Sequence, residues 1–329
     1  MTEKKPPLVI ITHPLPEDWI TDLKDSCRVI VGPEEGRGIS PQIADHLAEA
    51  RALITLLDDP VDADLLDRAP SLQVVANMAV GYDNIDLEAC TARGIKVGNT
   101  PGVLTEGTAD LTLALMLAVA RQLPRASLDA REGRWTNWDP TGWLGEDLKN
   151  AVVGIIGMGK IGTAVAERVR AFQSNIIFNN RSPKPALAER LSGQQVKLDV
   201  LLEKSDFVSL HVPLTEETSK MIDEHALQQM KSTALLINAA RGAVVDSAAL
   251  VKALEKGWIR GAGLDVTDPE PLPPDHALYR LENCLITPHI GSATRNTRRT
   301  MAELTVNNVL TGLRGKPLPH QVNPELDQG

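Results

Sequence analysis

The chain has 329 residues, 43% of them hydrophobic, and carries 34 Lys and Arg against 43 Asp and Glu, a formal charge of −9. This acidic balance argues against a strongly basic nucleic-acid-binding protein. The length predicts two domains, and the apolar content suffices for two buried cores, which argues against a disordered chain.

Three widely spaced cysteines, Cys27, Cys90 and Cys284, indicate a reducing compartment. They form no CxxC or Cys/His spacing, so the sequence predicts neither a disulfide framework nor a metal site. No apolar stretch before Pro14 is long enough for a signal peptide. The longest apolar stretch of the whole sequence, 111–120, is too short to cross a bilayer. We therefore expect a soluble, cytoplasmic protein.

Short runs rich in β-branched residues alternate with amphipathic stretches along the chain, which is typical of βαβ units and parallel sheets. The strands predicted in the first half are Leu8–Ile11, Arg28–Val31, Ala52–Leu57, Val74–Ala76 and Ile95–Val97. The strands predicted in the second half are Val152–Ile156, Ile176–Phe178, Phe207–Val212, Ala234–Ile237, Ala262–Val266 and Cys284–Ile286. The pattern predicts an α/β protein with two doubly wound parallel sheets and a ligand crevice at the carboxyl ends of the strands.

The segments that connect the two halves are less regular. Val103–Leu123 is apolar on nearly every face, which predicts a helix buried between domains or subunits. The stretch 132–150 contains Trp135, Trp138 and Trp143, and these rings could pack either on a partner subunit or beneath their own domain. A long helix is predicted after Ser292 up to Leu313, followed by a loosely ordered tail from Gly315.

A glycine-rich turn directly follows the predicted strand at 152–156 and opens a segment with apolar residues on one helical face. The first glycine permits the turn, the second lets the backbone approach a pyrophosphate, and the third allows close helix packing; the helix N-terminus attracts phosphates. Glycines also cluster in ordinary turns, but the strand and helix on either side favour a dinucleotide site. The expected contacts are Gly157, Met158, Gly159, Lys160, Ile161 and Gly162.

The residues after the next strand indicate which dinucleotide binds. An acidic residue there would bind the ribose of NAD, but the sequence has the neutral Asn179 and Asn180. Arg181, Ser182 and Lys184 could donate to a 2′-phosphate, and the planar guanidinium suits bidentate contact. The pattern favours NADP(H), with NAD(H) as the alternative if Arg181 only covers the adenine or is solvated.

Three segments that follow strands of the second half carry reactive side chains, Arg241, Glu270 and His289. Reduction of a ketone beside a carboxylate needs a cation that holds the acid and polarises the carbonyl, and a proton donor for the developing alkoxide. Arg241 and His289 match these needs, and Glu270 on the other imidazole nitrogen would fix the tautomer and stabilise the imidazolium.

Each of the three also has a purely structural interpretation. His289 could be an ordinary loop histidine, Arg241 could pair with Asp246, and Glu270 could be a solvated turn residue. Their joint position at three strand ends of one sheet, where ligands bind, favours a catalytic site.

At these residues the sequence resembles the D-2-hydroxyacid dehydrogenase family, in its glyoxylate reductase/hydroxypyruvate reductase branch. The matching motifs are GMGKIG, HVPLTEET, NAARGAVVD, GLDVTDPEPLP, TPHIGSAT, NMAVGYDNID and TEGTADLTLALMLAVAR. The resemblance implies a Rossmann cofactor domain, residues 104–292, inserted in a flavodoxin-like substrate domain made of 1–103 and 293–329. It also implies the catalytic set Arg241, Glu270 and His289, and a homodimer.

The same resemblance implies further contacts. The N–H groups of Val80 and Gly81 would hold the substrate carboxylate together with Arg241 and His289, and Trp138 of a partner subunit would reach the site, although its loop does not match the branch closely. Further cofactor contacts would come from Thr108, Val212, Pro213, Thr218, Ala239, Asp265, His289 and Gly291.

The predicted function is NADP-preferring reduction of glyoxylate to glycolate and of hydroxypyruvate to D-glycerate, with no nucleic acid or membrane as a partner. One alternative is an NAD-linked dehydrogenase of D-3-phosphoglycerate or D-lactate. Another, from a different class, is a dinucleotide-sensing binding protein similar to the corepressors of this family, because function depends on the site and not on the fold.

Overall fold

The computed structural model describes residues 5–327 of the chain. The chain divides into two α/β units. Unit 1 takes in the chain up to Leu104 and again from Thr294 onward, and unit 2 comprises Thr105–Ala293.

The strands are, in chain order, β1 (Leu8–Ile11), β2 (Arg28–Val31), β3 (Ala50–Thr55), β4 (Val74–Asn77), β5 (Lys96–Gly98), β6 (Val152–Ile156), β7 (Asn175–Asn179), β8 (Gln194–Gln195), β9 (Phe207–Leu210), β10 (Leu235–Asn238), β11 (Gly261–Leu264) and β12 (Cys284–Ile286). The helices are α1 (Thr21–Ser26), α2 (Pro41–Ala44), α3 (Ala63–Arg68), α4 (Leu87–Ala92), α5 (Thr105–Ala120), α6 (Leu123–Arg131), α7 (Lys160–Ala171), α8 (Pro185–Leu191), α9 (Leu198–Lys204), α10 (Glu224–Gln229), α11 (Ser247–Lys256) and α12 (Arg295–Leu313). The predictions missed β8, whose two glutamines show neither β-branching nor alternation.

The sheet of unit 1 has the strand order β2-β1-β3-β4-β5, and its strands are paired in parallel. Alternate residues of β1 enter two different cores: Leu8 and Ile10 pack on one face of the sheet, and Val9 and Ile11 on the other. Both faces are buried, which explains why β1 is a continuous apolar run. This order is the flavodoxin-like one.

The sheet of unit 2 has the strand order β12-β11-β10-β9-β6-β7-β8, again with parallel pairing. Counted within the unit, the first six strands have the doubly wound order of dinucleotide-binding domains, with β12 added at one edge. The direction of winding reverses between β6 and β9, and the crevice at their carboxyl ends is where ligands bind in such sheets. The two sheets confirm the predicted fold class.

The predicted helix Val103–Leu123 is wrong at both ends. The helix α5 begins at Thr105 and ends at Ala120, and Gln122 then adopts a left-handed conformation with φ of 50°. The second helix, α6, starts at once because Pro124 in its first turn needs no N–H partner. The helix α5 packs on α7, β10 and β11 of its own unit.

The expectation of a loosely ordered tail from Gly315 is also wrong. Gln321 forms an antiparallel bridge with Gly98 of β5, and Leu318 is buried. The fully buried Asn323 accepts from the Val97 N–H and donates to the Ile95 carbonyl. The tail is ordered because it covers the open edge of β5, whose backbone groups need partners. Within residues 5–327, no helix is long and apolar enough to span a bilayer.

Candidate active site

The glycine turn after β6 has a different steric requirement at each glycine. Gly157 has φ of 97°, and a Cβ on it would lie 2.6 Å from the His211 carbonyl oxygen on the loop after β9. A Cβ on Gly162 would overlap the Gly157 carbonyl oxygen, so this glycine permits the helix to pack against the turn. Gly159, the N-cap residue of α7, differs because no atom of the described residues lies within 4 Å of the position that its Cβ would take.

The open space at Gly159 fits a bound dinucleotide. No side chain caps α7, so its first N–H groups and its dipole face this space. A pyrophosphate could therefore approach the backbone closely here. Met158 is buried, Lys160 is exposed, and Ile161 is half-buried at the start of the helix.

The residues after β7 form a loop fastened to the glycine turn. Asn180 accepts from the Met158 N–H at 3.1 Å and donates to the Ser182 carbonyl and hydroxyl oxygens. Its carbonyl oxygen accepts from the Gln195 amide of β8. Arg181 and Ser182 are exposed. Hydrogen bonds from Thr215 and from the backbone lower the pKa of Glu217, and the charge of the Arg181 guanidinium lowers it by a smaller amount.

The loop after β9 is closed by one threonine. The Thr218 hydroxyl donates to the Pro213 carbonyl at 2.6 Å and accepts from the Thr215 N–H at 2.8 Å. Val212 lies beside Gly157, where a Cβ on the glycine would be 2.9 Å from a Val212 methyl group. Val212, Pro213 and Thr218 therefore lie at the winding reversal of the sheet, as Gly157 does.

Arg241 lies on the loop after β10, three residues beyond the buried Asn238. The Asn238 amide donates to the Arg241 carbonyl at 2.9 Å and accepts from the Ala240 N–H at 3.0 Å, which sets the path of the loop that also contains Ala239. A Cβ on Gly242 would overlap the Thr267 carbonyl oxygen. This close approach places the Arg241 loop against the loop after β11.

The loop after β11 carries Glu270, and the loop after β12 carries His289. His289 Nδ1 lies 2.5 Å from Glu270 Oε1, and Glu270 Oε2 accepts from the Thr267 N–H at 3.2 Å. The side chains are 23% exposed for His289 and 33% exposed for Glu270, so both contact each other and solvent. With Nδ1 occupied by the carboxylate, Nε2 is the ring atom available to another group.

The charge state of Glu270 follows from its surroundings. Burial by itself would raise the pKa of Glu270. The hydrogen bond and charge of His289, the Thr267 N–H and the nearby Arg241 guanidinium outweigh burial and hold the pKa below its ordinary value of 4.5. Glu270 is therefore a carboxylate at neutral pH, and the positive charge of Arg241 stabilises it.

The turn that presents His289 is held by the buried Asp265. Asp265 Oδ1 accepts from the Thr287 hydroxyl at 2.7 Å and the Ile290 N–H at 2.8 Å, and Oδ2 accepts from the Gly291 N–H at 2.7 Å. The His289 N–H donates to the Asp265 carbonyl oxygen, and His289 has φ of 52°. The turn thus donates four hydrogen bonds to Asp265, and these fix the unusual backbone conformation of His289.

Thr108 and Gly291 meet at the same turn. Thr108 is buried in the first turns of α5, and a Cβ on Gly291 would lie 3.3 Å from its methyl group. Thr108 therefore lies beside the loop that carries His289.

Val80 and Gly81 lie in unit 1, in the loop after β4. Trp138 lies in the stretch 132–150 of unit 2 and is 81% exposed, and Trp135 is 64% exposed. Trp143 differs, because its indole N–H donates to the Asp129 carboxylate at 2.6 Å. One of the three tryptophans thus packs within its own unit.

The structure brings Glu270 and His289 into direct contact and places Arg241 on the adjacent loop. Asp246, considered above as a partner of Arg241, caps α11 through the Ala248 and Ala249 N–H groups and pairs with Lys220 at 3.3 Å. Sequence reasoning missed Asn238, the anchor of the Arg241 loop. It also missed that the Asp265 carboxylate holds the His289 turn. The position of each directly at the end of a strand was the available signal.

The same region matches a known family. Residues 113–291 match the model of the D-isomer specific 2-hydroxyacid dehydrogenase, NAD binding domain. The chain belongs to this family. The match covers the glycine turn and the loops after β9 to β12, and it confirms the resemblance inferred from the motifs. It also agrees with a nicotinamide dinucleotide as the cofactor.

Family members resemble the chain over nearly its whole length. A glyoxylate reductase of Korarchaeum cryptofilum is 46% identical over 321 residues, 97% of this chain and 97% of that protein. The crystal structure of the TT0316 protein from Thermus thermophilus matches with a TM-score of 0.89 and 47% identity, covering 96% of this chain and 99% of that one.

A third relative has been solved with ligands. The NADPH-dependent glyoxylate/hydroxypyruvate reductase from Sinorhizobium meliloti, in complex with NADP and malonate, matches with a TM-score of 0.84 and 32% identity, covering 97% of each chain.

Proposed function

We propose that the protein is an NADPH-preferring reductase of small 2-keto acids, converting glyoxylate to glycolate and hydroxypyruvate to D-glycerate. The observation that carries this proposal is the 2.5 Å contact between His289 and Glu270 at the carboxyl edge of the sheet of unit 2. Similarity to glyoxylate reductases over 97% of the chain supports the choice of substrate.

Unit 2 is proposed as the cofactor domain and unit 1 as the substrate domain. The turn from Gly157 to Gly162 would hold the pyrophosphate, because Gly159 leaves open space at an uncapped helix N-terminus. The loops with Val212, Ala239 and Asp265 would line the rest of the cofactor site. When bound, the reduced nicotinamide supplies the hydride that reduces the carbonyl carbon.

His289 is proposed as the general acid. Its Nδ1 is held by Glu270, so Nε2 would donate the proton to the carbonyl oxygen as negative charge develops there. Glu270, ionised at neutral pH, would stabilise the protonated ring before transfer and fix its orientation.

Arg241 would bind the substrate carboxylate and polarise the carbonyl, a task suited to a planar guanidinium. The N–H groups of Val80 and Gly81 in unit 1 would bind the same carboxylate.

The preference for NADPH rests on the loop after β7. Asn180 is neutral and Arg181 is exposed, so a 2′-phosphate would meet a cation and no carboxylate of this loop. NADH would lose this contact and remain the weaker cofactor.

A homodimer is proposed from the apolar surface of the stretch after α5. Leu123, Leu128, Trp135, Trp138 and Leu144 are all exposed within this short region. Trp135, Trp138 and Trp143 also line a cleft of about 300 Å³. Such a patch is typical of a protein interface, and Trp138 would reach the partner's site. A cytoplasmic location is also proposed, because the three cysteines carry free thiols, which persist in a reducing compartment.

The deciding experiment compares kcat/KM for glyoxylate, hydroxypyruvate and pyruvate with NADPH and with NADH. We expect glyoxylate or hydroxypyruvate with NADPH to be the best pair. A preference for pyruvate with NADH would instead identify a D-lactate dehydrogenase. Dinucleotide binding without turnover of any 2-keto acid, together with capture of a short peptide, would indicate a corepressor-like binding protein.

The catalytic assignment has its own test in His289→Ala. This variant, folded and able to bind NADPH, is expected to lose kcat by at least about a hundredfold, as removal of a general acid does. Retention of full kcat would remove His289 from the proposed role.

A further inference from the structure

Three successive carbonyl groups in the loop after β4 are held by three donors. The Ala79 carbonyl accepts from the Thr100 N–H at 2.9 Å, and the Val80 carbonyl accepts from the Asn99 amide at 2.8 Å. The Gly81 carbonyl accepts from the Asn77 amide at 2.8 Å. All of these residues belong to unit 1.

The held carbonyls determine where the N–H groups point. A trans peptide is planar, so its C=O and N–H point in opposite directions. The donors to the Ala79 and Val80 carbonyls come from the neighbouring residues 99 and 100, so both carbonyls face that segment. The N–H groups of Val80 and Gly81 therefore face away from it, on the same side. Within residues 5–327, neither N–H donates a hydrogen bond.

Two neighbouring N–H groups that point the same way form a concave site for an anion. Their usefulness depends on the peptide planes being unable to rotate. A rotated plane would present a carbonyl oxygen, which repels a carboxylate, in place of the N–H group. The Asn99 amide opposes rotation of the plane that carries the Gly81 N–H, and the Thr100 N–H opposes rotation of the plane that carries the Val80 N–H. Asn77 holds the next plane, which carries the N–H of Tyr82.

We propose that Asn99 is a positioning residue that holds the N–H of Gly81, beside that of Val80, toward the carboxylate of the substrate. The proposal rests on the proposed function and adds to it one residue that acts through the backbone of the loop after β4.

The test compares Asn99→Ala with the wild type. Among the described residues, the Asn99 amide donates to the Val80 carbonyl alone, so its removal is a clean change. The matched control is Asn323→Ala, which removes a fully buried amide of unit 1 whose described partners do not include a carbonyl of residues 79–81. Each protein is assayed for KM and kcat with glyoxylate, for NADPH affinity, for thermal stability and for binding of oxamate, an unreactive carboxylate analogue.

We expect KM for glyoxylate and the Kd of oxamate to rise about tenfold in Asn99→Ala, since one side-chain hydrogen bond fixes the plane that carries the Gly81 N–H. NADPH affinity should stay unchanged, and kcat should fall less than KM rises. The control should lose thermal stability without this rise. A folded Asn99→Ala protein that binds oxamate as tightly as the wild type would overturn the proposal. A control that weakens oxamate equally would overturn it too, because the effect would then be general loosening.

The two proposals fail in different ways. Absence of glyoxylate turnover in the wild type would refute the proposed function, and the oxamate Kd of Asn99→Ala would still test the positioning residue. Normal wild-type turnover with unchanged KM and oxamate Kd in Asn99→Ala would refute the positioning role alone.

Discussion

Replacement of Glu270 by Gln tests the central contact of the site. The carboxylate accepts from two donors, His289 Nδ1 at 2.5 Å and the Thr267 N–H at 3.2 Å, one on each oxygen. Gln has nearly the same shape but a single acceptor oxygen, so one of the donors would face an NH₂ group. It also carries no charge to stabilise a protonated imidazole.

The expected loss follows from the strength of this contact. A hydrogen bond to a charged group contributes about 1.5 to 3 kcal/mol, and the exposure of about a quarter to a third of the two side chains favours the lower part of that range. About 1.4 kcal/mol corresponds to a factor of ten in rate. We therefore expect Glu270→Gln to lower kcat for glyoxylate about 10- to 30-fold, with little change in NADPH affinity.

The measurement is steady-state kinetics at saturating NADPH near neutral pH. There the wild-type carboxylate is ionised, because its pKa is held below 4.5. Glu224→Gln is the control, because it breaks another carboxylate contact of the same unit, the 2.6 Å pair with Lys252, and should leave kcat unchanged. A folded Glu270→Gln protein with more than half of the wild-type kcat would refute the reasoning.

Three further predictions concern the cofactor loops and pH. Gly159→Ala should keep wild-type thermal stability but weaken NADPH binding at least about tenfold, because the added Cβ enters only the open space beside the glycine turn. Gly162→Ala should instead lower the free energy of unfolding by about 1 to 3 kcal/mol, because its Cβ overlaps the Gly157 carbonyl oxygen. Equal stabilities of the two variants would contradict this prediction. Arg181→Ala should raise KM for NADPH about tenfold and leave KM for NADH nearly unchanged, so equal effects on both cofactors would count against a 2′-phosphate contact. Burial lowers the pKa of His211 from 6.5 to about 4, so between these values the unfolded chain binds a proton that the folded chain does not. The free energy of unfolding should therefore fall by up to about 3 kcal/mol as pH drops through this window, and denaturant titrations near pH 7 and pH 5 should show a smaller fall in His211→Gln.

Much of the fold could be predicted because its signals are local. The strands β1, β2, β6 and β12 have the predicted bounds. For β1 and β6 the reason is burial on both faces of the sheet, which needs a nearly continuous apolar run. The glycine turn was recognisable because backbone conformation and close approach exclude other residues there. The break at Gln122 was missed because a left-handed residue other than glycine leaves little trace in the sequence.

By itself, the sequence determined most of the strands, the turn at Gly157–Gly162 and the placement of Arg241, Glu270 and His289 after three strands, since each depends on neighbours along the chain. Only the tertiary structure decided which of these side chains meet. Glu270 reaches His289, 19 residues away, because Asp265 holds the turn of a neighbouring strand. The side-chain amide of Asn99, which binds the Val80 carbonyl, and the tail that covers the edge of β5 likewise join distant segments. The free energy of such contacts arises only when folding brings those segments together.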